Sequence, residues 1–284
     1  MTRRRSDNSW HLVLLPAATL TVFFVIPFTI MLAVSFFQRI EGGFFEPAFV
    51  LSNYVRFLTP FFGKILATSV GLSATAATIV VAVAFPFAYV LSRMPRRRQT
   101  TILVFILSVL SLSEVIVGFA WSTLLSRTAG IGNLFHWVGI AESPRAYTPG
   151  LASLLLGLAY LAFPYAVLVI YPAVSRLDPE LPEAARTSGA SPLRAFTSVT
   201  LPIMRRTIAG ALILVFVFTL GAYLLPQVLG RPRHWTLPVH ITDQAIFQSN
   251  IPFAAAMAMF LLLVSLALVG LVLVVDSRRR GDQS

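Results

Sequence analysis

Residues 176–206 read RLDPELPEAARTSGASPLRAFTSVTLPIMRR, and the fold turns on this stretch and on what flanks it. Asp178–Pro179 is a helix N-cap followed by proline at the first helical position, where a missing N–H costs nothing. The helix begun there runs through Leu181, Glu183, Ala184, Ala185 and Arg186, and Gly189 supplies the left-handed residue that closes it. Ser191–Pro192 repeats the cap-and-start signal. A second helix carries Leu193, Phe196 and Val199 on one face, at i, i+3 and i+6. Leu201–Pro202 then leads into the next segment. The pattern predicts two short helices joined by a tight turn. Small Ala184 and Ala185 permit close approach of a neighbour, and Glu183 is placed to hold the pair together by a hydrogen bond or ion pair. On these signals alone the pair is either a self-contained folded loop or an element that seats in a partner.

The flanks are apolar. Ala146–Ser175 before the stretch and Thr207–Gly230 after it hold no charged residue. Four more such runs occur: Leu12–Gln38, Ile65–Ser92, Thr101–Leu125 and Gln244–Val275, of which only the third holds a charge, Glu114. About 20 apolar residues suffice to cross a bilayer as a helix. The runs are too long for strands and lack period-two alternation. The expected architecture is all-α: a polytopic membrane protein with six spans at 12–38, 65–92, 101–125, 146–175, 207–230 and 244–275, forming a single domain over residues 1–284. Composition agrees, with 57% hydrophobic and 12% charged residues and a mean hydropathy of +0.81. Soluble domains carry about twice that charge. The first run is longer than a signal-peptide core and is followed by no small-residue cleavage site, so it is expected to be a retained span.

Six spans place both termini on one side, and arginine chooses the side. Arg3, Arg4 and Arg5, Arg93 and Arg96–Arg98, five arginines of residues 176–206, and Arg278–Arg280 make fifteen of the 22 basic residues. The opposite segments hold Arg39, Arg56, Lys64, Arg127, Arg145, Arg231 and Arg233. The arginine-rich side is cytoplasmic, with both termini inside. The net charge of +11 is thereby largely a topology signal. Its short basic runs beside spans, without interleaved aromatics, argue against nucleic acid as a partner.

Catalytic patterns are missing. There are no cysteines, and no G-x-S-x-G nucleophile elbow. Gly63–Lys64 is followed by Ile65 where a phosphate-binding loop needs Ser or Thr. The four histidines are scattered, with no metal-ligand spacing. The chain is therefore not expected to be an enzyme, nor to bind a metal or cofactor. Glu114 falls midway along its run. A carboxylate there costs roughly 2.5–3.5 kcal/mol on insertion scales. It either lines a watery path, where it would suit a cationic solute, or packs between helices with Ser111 and Ser113 as local partners. Proline within several runs (Pro16, Pro27, Pro86, Pro164, Pro172 and Pro226) argues for kinked helices.

Glu183-Ala184-Ala185, three residues, Gly189, nine residues, Val199, one residue, Leu201-Pro202 resembles the EAA motif of ATP-binding-cassette (ABC) importer permeases, with valine for the usual isoleucine. Leu51–Tyr54, Ala67–Ser69, Phe85–Tyr89, Gly130–Asn133, Phe163–Tyr165, Leu177–Pro179 and Gly221–Pro226 are similar to corresponding stretches of the spermidine/putrescine-type subgroup. The resemblance implies the type I importer permease fold, with residues 176–206 as a cytoplasmic coupling loop. Glu183, Ala184, Ala185, Gly189, Leu201 and Pro202 would form the contact with the ATPase. It implies a bacterial inner-membrane protein partnered by two ATP-binding subunits, a second permease chain and a periplasmic solute-binding protein, with ATP and Mg on the ATPase. By the same resemblance the substrate is a polyamine or related cationic or opine-like solute, and Gly221, Tyr223 and Pro226 join Glu114 as pathway or gate residues. Iron(III), sulfate or another anion remains open as substrate. So does a self-sufficient secondary carrier or channel, although such a carrier needs coupling-ion sites and usually internal repeats, and no clear repeat is present.

Overall fold

A computed structural model describes residues 11–40, 42–139, 142, 143 and 145–281. Among these residues there is no strand, only an isolated bridge between Gln38 and Glu46. The helices that matter here are α1 (Leu14–Val34), α2 (Pro60–Ser92), α3 (Arg96–Ser111), α4 (Glu114–Leu124), α5 (Leu151–Ser175) and α6 (Glu180–Thr187). They continue with α7 (Pro192–Ile203), α8 (Arg205–Leu220), α9 (Leu224–Leu229), α10 (Leu237–Thr242) and α11 (Ile251–Gly281). Arg3, Arg4 and Arg5, which entered the charge comparison, lie outside the described residues.

The helix boundaries depart from the apolar runs in instructive ways. The run at 101–125 is not one helix: α3 and α4 meet at 101°. Leu112 and Ser113 are extended, and Ser113 Oγ accepts the Val115 N–H at 3.3 Å, so the serine starts a new helix. Glu114 therefore opens α4 rather than sitting mid-helix. The run at 207–230 stops being regular helix at Leu220, and the run at 244–275 becomes α11 only at Ile251. There Asn250 Oδ1 accepts the Phe253 N–H at 3.4 Å, and Pro252 follows inside the first turn. The mean apolar content of these runs hides breaks set by single capping residues.

Two of the prolines flagged in the sequence act through register. Residues Thr21–Val25 and Phe196–Thr200 are π-turns, each followed two residues later by a proline, Pro27 and Pro202. A proline has no N–H for the carbonyl four residues back, and the helix widens by one residue instead. The Leu201 N–H accordingly bonds Phe196 O.

The described chain falls into two compact units, residues 11–63 with 240–263, and 64–239 with 264–281. In the first, Ser35 Oγ and Tyr54 Oη share a hydrogen bond of 2.7 Å, and Asn53 Nδ2 donates to Ser35 O and Phe37 O. Phe57, Phe62, Phe253 and Phe260 form an aromatic cluster, with the Arg56 guanidinium 4.5 Å from the Phe253 ring centre. The α1 helix leaves most of its apolar surface open, Leu15 and Phe23 among it.

The second unit holds the main core. Ala77, Val80, Val81, Ala84, Phe85 and Ala88 of α2 pack on Ala162, Ala166, Val167 and Ile170 of α5 and on Ala211 and Val215 of α8. Small residues dominate this contact. In lipid, helix association relies on close backbone approach rather than on hydrophobic expulsion, and small side chains permit it.

Candidate functional site

Two regions concentrate the residues singled out by sequence. The first is the helix pair α6–α7. Asp178 Oδ1 accepts the Glu180 N–H at 3.0 Å, and Ser191 Oγ accepts the Arg194 N–H at 3.3 Å, so each helix is capped from its own flank. Between them Gly189 has φ +91°, a region costing about 1–2 kcal/mol for residues with a Cβ. The Ala190 N–H bonds Ala185 O and the Gly189 N–H bonds Arg186 O, the paired bonds of a Schellman termination. Nothing lies within 4 Å of where a Cβ would stand on Gly189, so backbone conformation, not space, calls for glycine.

Phe196 of α7 packs between Phe85 and Tyr89 of α2, with ring centres at 5.1 and 5.0 Å. Thr200 is buried, while Leu201 and Pro202 are exposed just before a 73° bend into α8. Glu183 and Ala184 are exposed and Ala185 is half-buried. The expectation that Glu183 holds the pair together is corrected: among the described residues its carboxylate makes no hydrogen bond or ion pair. The Schellman turn joins the helices instead, Phe196 anchors α7 to α2, and the Glu183 carboxylate stays on the surface.

The second region is the interruption after α8. Residues 221–236 leave helical geometry, form the six-residue α9 and then turn toward α10. In a bilayer, irregular backbone must find partners within the protein, because an unsatisfied N–H or C=O there costs several kcal/mol. The partners come from distant residues. Glu114 Oε1 accepts the Leu225 N–H at 3.4 Å, at the N-terminus of α9, where the helix dipole favours an anion. The Gly150 N–H and Ser153 Oγ donate to Leu229 O at 2.8 and 3.1 Å at the other end. Ser69 Oγ accepts the Leu237 N–H at 2.7 Å, opening α10, and donates to Ile65 O. Thr236 Oγ1 donates to Ala222 O at 3.2 Å, tying the two ends of the interruption together.

This arrangement brings Glu114 to the sequence-predicted Gly221–Pro226 segment, although Ser111 and Ser113 are not its partners. Pro226 is buried, Tyr223 half-buried and Gly221 exposed. Gly230 has a strict requirement, since a Cβ would stand 2.4 Å from Pro226 O. Ser153 and Thr236 were not singled out in the sequence, and Ser69 entered only as part of the Ala67–Ser69 resemblance. Only Thr236 carried a local signal, as a capping residue two positions before Pro238. In the adjoining turn His234 Nδ1 accepts the Arg231 N–H at 3.3 Å. Burial, then the charges of Arg233 and Arg231, push this imidazole below its ordinary pKa. Among the described residues no cluster of His, Asp or Glu could hold a metal ion.

An interrupted penultimate span beside a capped surface helix pair is the layout of a membrane transport subunit. The chain belongs to the family of binding-protein-dependent transport system inner membrane components, whose model matches residues 81–281. It is an ABC importer permease component. Among individual relatives it is similar to the spermidine/putrescine transport system permease protein PotB of Escherichia coli, at 26% identity over 90% of this chain and 92% of the relative. It is also similar to a probable molybdenum ABC transporter permease of Haloferax volcanii, at 31% identity over 75% and 76%. The fold matches a bacterial ABC transporter involved in import of the acidic polysaccharide alginate, with a TM-score of 0.76 at 19% identity over 95% of this chain and 96% of that one.

Proposed function

We propose that this chain is one permease subunit of an ATP-driven importer for a small cationic solute of the polyamine class. The observation that carries the coupling role is the α6–α7 pair: a rigid, doubly capped element with an unpaired carboxylate, Glu183, and small Ala184 and Ala185 on its surface. In this reading Glu183, Ala184, Ala185, Gly189, Leu201 and Pro202 form the contact with a cytoplasmic ATPase, two copies of which serve the complex. ATP and Mg are bound there, and this chain performs no hydrolysis and holds no cofactor. The arginine asymmetry supports both termini inside. A second permease chain completes the pathway, and a periplasmic binding protein delivers the solute. A solved alginate transporter complexed with a pentasaccharide-bound periplasmic protein supplies the analogy for that last step.

Residues 12–38, 65–92, 101–125, 146–175, 207–230 and 244–275 constitute the membrane passages of one permease domain in this proposal, the third of them bent and the fifth interrupted after Leu220. Glu114, Gly221, Tyr223 and Pro226 form its gate, and alternating access opens and closes it as the ATPases separate and meet. Glu114 holds α9 with one oxygen, and the second oxygen remains for a cation. The polyamine reading rests on the PotB-like sequence and on this carboxylate. The relative named for molybdenum favours a second reading, an oxyanion substrate.

Uptake by the reconstituted importer separates them. Labelled spermidine or putrescine is expected to accumulate only with ATP and binding protein present. Glu114→Gln keeps an acceptor for the Leu225 N–H but removes the charge, so it should reduce polyamine uptake without loss of assembly. Molybdate uptake in place of polyamine would overturn the substrate, and uptake in ATP-free vesicles would overturn the importer.

A further inference from the structure

Gln99 lies in the first turn of α3, directly after Arg96–Arg98 and just past the connection from α2. It is 8% exposed, which is unusual for a glutamine next to three arginines. Its side chain is fully engaged. Nε2 donates to Ser92 O at 3.1 Å and to Met94 O at 2.7 Å, closing the C-terminus of α2. Two carbonyl acceptors on one side fix the amide orientation, so Oε1 faces the other way and must accept. The donor is Tyr171 Oη of α5, at 2.7 Å. Tyr171 precedes Pro172, whose missing N–H removes one bond from the last turns of α5. Nine residues further on, α6 begins.

We propose that Gln99 and Tyr171 are positioning residues for transport. Their hydrogen bond clamps the start of α3 to α5 within the proline-weakened turn, residues 168–172, so that displacement of the α6–α7 pair carries α2, α3 and α5 together. Without the clamp, motion of the pair is absorbed at Pro172, and α5 bends while α2 and α3 stay behind. The bond is partly buried, with Gln99 buried and Tyr171 packed against the main core, where a hydrogen bond is worth more than at the surface. Gln99 Nε2 contributes separately, by satisfying the end of α2.

This inference rests on the importer reading, and its test keeps the two apart. The complete importer, with both permeases, both ATPases and binding protein, is reconstituted in liposomes as wild type, Tyr171→Phe, Gln99→Leu and the double variant. Tyr171→Phe deletes one oxygen and should leave ATPase co-purification and ATP hydrolysis intact. It should raise the ATP consumed per solute imported by roughly five-fold, the equivalent of one net hydrogen bond. The double variant should be no more uncoupled than Gln99→Leu alone, because both remove the same bond. An unchanged ATP-to-solute ratio in Tyr171→Phe would overturn the clamp, including when uptake and thermal stability fall together. Wild-type import that needs no ATP would instead remove the importer reading.

Discussion

The α6–α7 pair and the interruption at 221–236 solve the same problem in opposite ways. Each is a set of short helices with exposed ends, and helices of six to twelve residues have little stability alone. The pair caps itself. Asp178, Ser191 and Gly189 lie within three residues of the ends they satisfy. The interruption is capped by others: Glu114 is 111 residues from Leu225, and Ser69 is 168 residues from Leu237. A self-capped element can move as a body without losing its hydrogen bonds. An element capped by its neighbours holds its shape only while those neighbours hold theirs. That difference suits the two proposed roles, a rigid lever in the first case and a conformation-sensitive gate in the second.

Substitutions can break this contrast, and the interruption should be the more fragile side. Gly230→Ala drives a Cβ into Pro226 O and should cost about 1–3 kcal/mol, as overpacking does. Loss of folded yield in detergent, with α6–α7 proteolytic protection reduced in parallel, is the expected result. Ser69→Ala leaves the buried Leu237 N–H without its acceptor, at about 1–3 kcal/mol, and a thermal-shift assay on purified protein should register it. Gly189→Ala, by contrast, meets no neighbour and should cost about 1 kcal/mol through backbone conformation alone. Amide exchange should then quicken in α6–α7 and nowhere near residues 221–236. If Gly189→Ala loosened both regions equally, the self-contained lever would be wrong.

Ser191→Ala removes one local cap and should cost about 1 kcal/mol or less, again confined to α7 in the same exchange experiment. The smallest effect should come from pH. The folded-state pKa of His234 is lowered, so the native protein binds fewer protons there than the unfolded chain. Its contribution is complete above the ordinary imidazole value of about 6.5 and declines as pH falls below it. A His234→Gln variant should show a shallower loss of stability on acidification to pH 5 than the wild type.

Sequence and structure overlap where the chemistry is local. The caps of α6 and α7, the left-handed Gly189 and the apolar runs were all legible, because each depends on residues a few positions apart. The breaks were legible only in part. Ser113 and Asn250 are capping residues, but within runs of twenty apolar residues they carry little weight against mean hydropathy. Glu114 was legible as unusual and misplaced as mid-helix, because the 101° bend beside it is set by two extended residues. The segment it meets was named only through family resemblance, and the atom it holds, the Leu225 N–H, was not legible, since nothing near position 114 points to the backbone of residue 225.

The sequence by itself determined that the chain is a helical membrane permease, through apolar length, arginine asymmetry and a twenty-residue motif. Apolar length and arginine placement are short-range properties fixed by the bilayer, whereas the motif speaks through family resemblance. Tertiary structure decided which polar groups meet: Glu114 with α9, Ser69 with α10, Gln99 with Tyr171. Those pairings depend on how close the spans approach, and in lipid that is set by packing of small side chains such as Ala84, Ala166 and Ala211. No local pattern encodes that distance, which is why the caps of the α6–α7 pair could be read from the sequence and the hydrogen-bond partners of the interruption could not.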